Sequence, residues 1–173
     1  MNSKKIILLS LSFLAVIFLI AVFLLGYPLV LDLSKQEEYT TTAYQKGDTI
    51  KPFEKFDFDK GEWIAYLFIS KDDEKDFSKK MPNGSRFKTT DVQLLMQMQK
   101  EWIFIYTGAD IATVTSSIIL YNNGKQVFNS GIVLSESLQG LQSRRFGWLA
   151  GCDLLVTSCS QFKKIYSPVI ILK

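Results

Sequence analysis

Histidine is absent from all 173 residues. Its absence removes the commonest general base and the commonest neutral metal ligand. No Ser-His-Asp or Cys-His nucleophilic site can be built from this chain. Cysteine is nearly absent as well: Cys152 and Cys159 are the only two, too few for a closed structural zinc site. A strong charge imbalance is also missing. Lys4 and Lys5 precede the first acidic residue, Asp32, and beyond them 18 basic residues face 17 acidic ones, leaving +1. So small an excess gives no reason to expect nucleic acid or a strongly anionic surface as partner. There are no internal repeats and no low-complexity segment.

What is present begins at once. From Ile6 to Leu25 the chain carries no charge, only Leu, Ile, Val, Phe, Ala and the small hydroxyls Ser10 and Ser12. About 20 apolar residues suffice to cross a bilayer core as a helix. A cleaved signal has a shorter apolar stretch and a small-x-small cleavage site. Here the exit is bulky, Leu24-Leu25-Gly26-Tyr27-Pro28, and no cysteine follows that could carry a lipid. The pattern predicts an uncleaved signal anchor over residues 6–27. Lys4 and Lys5 before the span, against Asp32, Glu37 and Glu38 after it, place residues 1–5 in the cytoplasm and the bulk outside. Tyr27 would sit in the outer headgroup belt, and Pro28 would end the helix there. The expected location is the inner (cytoplasmic) membrane, single-pass, with the C-terminal domain in the periplasm or extracellular.

Residues 28–48 read as a polar linker, ending in an edge strand near Tyr39–Tyr44. Residues 49–173 read as the folded domain. Trp63–Ile69 is a short aromatic and β-branched run, as a buried central strand would be. Residues 71–80 are a solvated charged stretch, and Pro82-Asn83-Gly84-Ser85 is a turn. Around 90–100 the Leu, Met and Gln composition prefers helix, with Asp91 as its cap. Trp102–Tyr106 is strand-like. Val114–Tyr121 and the run after Gly124 flank Asn123-Gly124, the turn pair of a tight hairpin, with Gly131 a candidate bulge. Residues 135–151 show little periodicity and predict a long loop with Trp148 and Leu149 packed inward. Leu154–Thr157 and Val169–Leu172 read as the last strands, the final one inside the sheet system. Many short strands at regular spacing predict an all-β domain, an antiparallel sandwich or small barrel with one short helix, behind one N-terminal transmembrane helix. An α+β fold is the alternative. The three Trp residues are expected to anchor the core.

Four constellations carry chemistry. Ser160-Gln161-Phe162-Lys163 matches Ser-x-x-Lys, but the companion motifs of that signature are missing, and chance explains it. Asp72, Asp73, Glu74 and Asp76 lack calcium-loop spacing and are offset by neighbouring lysines, so a solvated loop is expected. In an exported domain Cys152 and Cys159 point to a disulfide. Its geometry demands a chain reversal within residues 153–158, because bridged Cα atoms lie within about 7 Å. Arg144-Arg145-Phe146-Gly147-Trp148 combines the residue types that dominate interface hot spots on a stretch expected to be a loop, where function concentrates. Asp110, after Thr107-Gly108-Ala109, is a second loop candidate.

The expectation is a membrane-anchored periplasmic module that is not an enzyme, holds no cofactor or metal and binds a protein partner. It would be immunity- or inhibitor-like, or an accessory subunit of an envelope complex. The alternative is a small-ligand or lipid-binding β domain.

Overall fold

The computed structural model describes residues 3–23, 29–33, 43–70, 73, 79–108, 114–167 and 169–172. In chain order the elements begin with α1 (Ser3–Phe23), β1 (Leu29–Asp32), β2 (Thr49–Ile50), β3 (Trp63–Phe68) and β4 (Arg86–Thr89). Then come α2 (Val92–Glu101), β5 (Phe104–Tyr106), β6 (Ser117–Asn122), β7 (Lys125–Leu134) and β8 (Gln139–Ser143). The last are β9 (Gly147–Ala150), α3 (Leu155–Cys159), β10 (Lys163–Lys164) and β11 (Val169–Leu172). They fall into two compact units, one of Met1–Leu33 with Tyr166–Lys173, the other Ser34–Ile165. Tyr27, Pro28, Asp110 and residues 39–42 of the expected edge strand at 39–44 lie outside the described residues, and Ala43 and Tyr44 are not in a strand.

In the first unit, α1 is long and apolar enough to cross a membrane. Nearly all of its described large side chains are bare, Leu8 and Phe13 both at 67% exposure, and Val22 near its end is buried. A helix with no polar face has nothing to turn toward water. β1 and β11 pair in parallel, from Leu29 opposite Val169 to Asp32 opposite Leu172. The Leu33 N–H continues the ladder to the Leu172 carbonyl at 2.9 Å. The final strand therefore joins the segment after α1, and not the main sheet as expected. A short β-branched run pairs with any available edge, and composition does not choose which.

The second unit is built on one nine-stranded sheet, in the order β10-β4-β3-β6-β7-β8-β9-β5-β2. Every pairing is antiparallel. β10 and β2 are opposite edges, so the expected closed barrel is not found. A second sheet that would complete a sandwich is not found among the described residues of this unit either. One face of the sheet shares a cluster with both short helices: Ala65, Leu67, Phe87, Ile118, Leu120, Ile132, Leu141 and Leu149 with Leu94, Leu95, Met98, Leu155 and Val156. Phe53 and Trp102 lie within it, stacked at 5.1 Å.

Local chemistry accounts for the elements. β3 alternates Trp63, Ala65 and Leu67 toward the cluster, with Ile64, Tyr66 and Phe68 on the other face. Asp91 caps α2, its carboxylate accepting from the N–H groups of Gln93 and Leu94 at 3.0 and 3.2 Å. Between β6 and β7, Asn123 and Gly124 take φ of 51° and 75°, the left-handed pair that a two-residue hairpin requires. The bulge falls between Leu120 and Tyr121, while Gly131 keeps regular register with Ser117 and Gln142. Gly131 is small for another reason: a Cβ there would meet Val114 Cγ1 at 2.9 Å.

Two segments differ from the sequence reading. Residues 135–151 are not a long loop, since they contain the β8–β9 hairpin. Gly140 obscures its pattern, because Leu149 O and the Trp148 ring would lie 2.2 and 2.5 Å from a Cβ at that position. Trp148 is buried at 3% exposure but stands outside the main cluster, which contains Trp63 and Trp102. Leu154–Thr157 is not a strand, because most of it forms α3, with Leu155, Val156, Ser158 and Cys159 inward. Ser158 fixes α3 to the core by accepting from Trp102 Nε1 at 3.2 Å while donating to the Leu154 carbonyl at 2.9 Å.

This helical turn bears on the cysteines. Cys152 and Cys159 are both buried free thiols, and the expected bond is not formed. The residues between them contain α3, which advances about 1.5 Å per residue, where a bridge needs the chain to double back.

Candidate functional site

The Arg144–Trp148 stretch lies at the β8–β9 turn. Its last pair is Ser143 opposite Gly147. Ser143 shapes the loop, its hydroxyl accepting from the Arg145 N–H at 3.2 Å and its carbonyl from the Phe146 N–H at 3.4 Å. Gly147 closes the loop at φ 69°, a conformation that favours glycine. The side chains then part. Phe146 turns inward at 6% exposure and stacks on Phe128 at 6.4 Å. Arg145 is half-buried and Arg144 exposed.

A cleft lies on each side. The first, about 180 Å³, is lined by Arg145 and Phe146 together with Tyr44, Ile50, Lys51, Glu54, Lys55, Phe56 and Phe128. The second, about 530 Å³, is lined by Arg144 with Tyr106, Val114, Gly131, Gln142 and Ser143. Trp148 lines neither of these clefts. Of the residues singled out in sequence, the structure brings Arg145 and Phe146 to one cleft and Arg144 to the other. It buries Trp148 outside the main cluster. Asp110 lies outside the described residues.

The first cleft is the better built. Its rim holds Lys51, Lys55 and Arg145 against one carboxylate, Glu54. The one ion pair among the described residues joins Lys60 to Asp57 at 2.7 Å, so none of the three rim cations is neutralised by contact. The floor is Phe56, Phe128 and Phe146. The rim is held in place from α2. Gln99 Nε2 donates to the carbonyls of Phe53, Glu54 and Phe56 at 3.0, 3.4 and 2.5 Å. Two successive turns, Glu54 N–H to Lys51 O at 3.2 Å and Phe56 N–H to Phe53 O at 3.0 Å, complete it. Sequence reasoning missed Lys51, Lys55, Phe56 and Phe128. Only tertiary pairing brings them to Arg145.

The Ser160 hydroxyl donates to the Thr157 carbonyl at 2.8 Å, and Lys163 makes no hydrogen bond to it. Among the described residues no three Cys, Asp or Glu side chains gather as a metal site would need. Asp73 is not merely a solvated loop carboxylate. Its Oδ2 accepts from the Ser116 N–H at 2.9 Å, the Ser116 hydroxyl at 2.5 Å and the Thr115 hydroxyl at 3.0 Å. Burial holds both thiols above the ordinary range, Cys159 the more strongly. That is the opposite of what a reactive thiolate needs.

Compared with protein-family models, curated proteins and solved structures, the chain has no match.

Proposed function

We propose that this chain is a membrane-anchored, non-enzymatic protein-interaction module of the cell envelope, acting as an inhibitor or immunity protein or as an accessory subunit. α1 is the retained single-pass anchor, with the N-terminus in the cytoplasm and the β domain in the periplasm or extracellular. The observation that carries the reading is the first cleft: three cations with no ion pair over a Phe floor. Arginine and aromatic side chains at a desolvated centre are what interface hot spots use, and an uncompensated basic rim steers an acidic partner toward them.

The test is site-specific photo-crosslinking in intact cells with full-length protein. A probe at Lys55 is expected to trap one defined protein that a probe at Lys100, at the end of α2, does not trap. The triple reversal K51E/K55E/R145E should abolish the adduct while the protein stays folded and membrane-bound. If Lys55 and Lys100 give the same adducts, or the reversal leaves the Lys55 adduct intact, the reading fails.

A further inference from the structure

We infer that the first cleft seats one aromatic side chain of an acidic peptide segment, with a carboxylate on the residue before it and another on the residue after. The inference rests on the reading of this cleft as a protein-binding site, and it names the chemistry of the partner. Its first ground is size. The cleft holds about 180 Å³, below the roughly 300–1,000 Å³ of clefts that enclose a free small molecule. A space of that order suits one large side chain, with the rest of the partner remaining outside.

The second ground is charge. Lys51, Lys55 and Arg145 stand against Glu54 alone, so the lining carries a net of +2. None of the three cations joins the one ion pair among the described residues. Two carboxylates on the guest would balance the site. Lys51 and Lys55 follow β2, whereas Arg145 belongs to the β8–β9 turn. The charges therefore come from two segments far apart in sequence, and they suit carboxylates on both sides of the seated residue. Arg145 offers one of these a fork of donors, and the lysines offer the other adaptable point charges.

The third ground is the floor. Phe128 and Phe146 are 2% and 6% exposed, but Phe56 is only partly buried, so its ring is the part of the floor most open to a guest. Phe56 already makes edge-on contact with Phe58 and Phe128 at 6.0 and 6.3 Å, a packing that one more ring extends. An aromatic guest is attracted to such rings through its edge and to the rim cations through its face. An aliphatic guest has neither attraction and gains burial alone. The floor is also set in advance. Gln99 holds the carbonyls of Phe53, Glu54 and Phe56, so less freedom is lost on binding.

The test uses full-length protein in phosphatidylcholine nanodiscs and capped synthetic peptides, Gly-Glu-Phe-Glu-Gly and its relatives with Leu for Phe, Gln for Glu or Lys for Glu. Saturation-transfer NMR reads binding, and lysine acylation rates read by mass spectrometry locate it. The Glu-Phe-Glu peptide is expected to bind several-fold more tightly than the Leu and Gln peptides, and the Lys peptide not at all. It should slow acylation of Lys51 and Lys55 but not of Lys100, and the protection should weaken at high salt. The reversal K51E/K55E/R145E should exchange the preference and bind the Lys-Phe-Lys peptide, a gain that loss of folding would not produce. Equal binding of the Phe and Leu peptides, equal binding of the Glu and Gln peptides, or binding of none overturns the inference. The photo-adduct at Lys55 keeps the two readings apart. An adduct that survives excess Glu-Phe-Glu peptide in permeabilised cells leaves the interaction module standing and overturns the inference. Absence of an adduct specific to Lys55 removes both.

Discussion

The side-chain amide of Gln99 donates to the main-chain carbonyl of Phe56 at 2.5 Å, across 43 residues of sequence. With its bonds to Phe53 and Glu54, this one side chain fixes the loop that presents Lys51 and Lys55 beside Arg145. Replacing Gln99 by alanine leaves three carbonyls without that donor. A loss of about 1–2 kcal/mol in urea unfolding is expected, together with a weaker Lys55 adduct. Gln99→Glu should be worse, because a carboxylate would face carbonyl oxygens. A Q99A protein as stable as the parent would show that the loop holds itself.

Asp73 and Ser116 make a second long-range clasp. Ser116 is 1% exposed, and its N–H and hydroxyl both end on Asp73 Oδ2. Asp73→Ala strands two buried donors and should cost about 1–3 kcal/mol. Asp73→Asn keeps an acceptor oxygen and should cost less. Chemical denaturation of the two variants side by side tests the ordering, and equal losses would contradict it.

At Gly140 the constraint is steric. Its φ is ordinary, but Leu149 O and the Trp148 ring lie 2.2 and 2.5 Å from where a Cβ would stand. Gly140→Ala must displace backbone or a buried indole, and a loss of about 1–3 kcal/mol is expected from such overpacking. Gly151 offers a contrast: nothing lies within 4 Å of its Cβ position, and its φ is +88°. Gly151→Ala is strained by conformation alone and should cost about 1 kcal/mol. Thermal unfolding should rank G140A below G151A.

The thiols set an alkaline limit. Burial raises the pKa of Cys159, and more weakly of Cys152. The unfolded thiols ionise near their ordinary value of about 8.5. Above that pH the unfolded chain holds fewer protons than the folded one, so stability falls as pH rises. Below it the thiols contribute no slope. Urea midpoints should be flat in this respect up to about pH 8.5 and decline toward pH 10. In Cys159→Ala the decline should be shallower, whatever the cavity costs in absolute stability. A disulfide reagent should label neither cysteine until the protein unfolds.

Legibility followed how local each signal was. The Asn123-Gly124 hairpin, the Asp91 cap and the central strand at 63–68 were readable because a turn pair, a cap and an alternation each reside in a few consecutive residues. The β8–β9 hairpin was not. Its strands are short, Gly140 is kept small by the neighbouring Trp148, and its turn uses arginines that look like loop. α3 was mistaken for a strand because five residues cannot display a helical period. The site divided in the same way. Arg145 and Phe146 announced themselves by residue type, whereas Lys51 and Phe128 join them only through pairings made far along the chain.

The β1–β11 ribbon gives the chain a mechanical property. Leu29 and Val169 sit side by side at the start of two parallel strands. Load entering through α1 and load entering from the loop before β11 therefore arrive at the same end of the ribbon. Its bonds open one after another, as a zip, and do not resist together in shear. The ribbon also closes the polypeptide between its strands into a lasso with a releasable knot at the neck. Pulling the knot open would undo the lasso without breaking any pairing of the nine-stranded sheet.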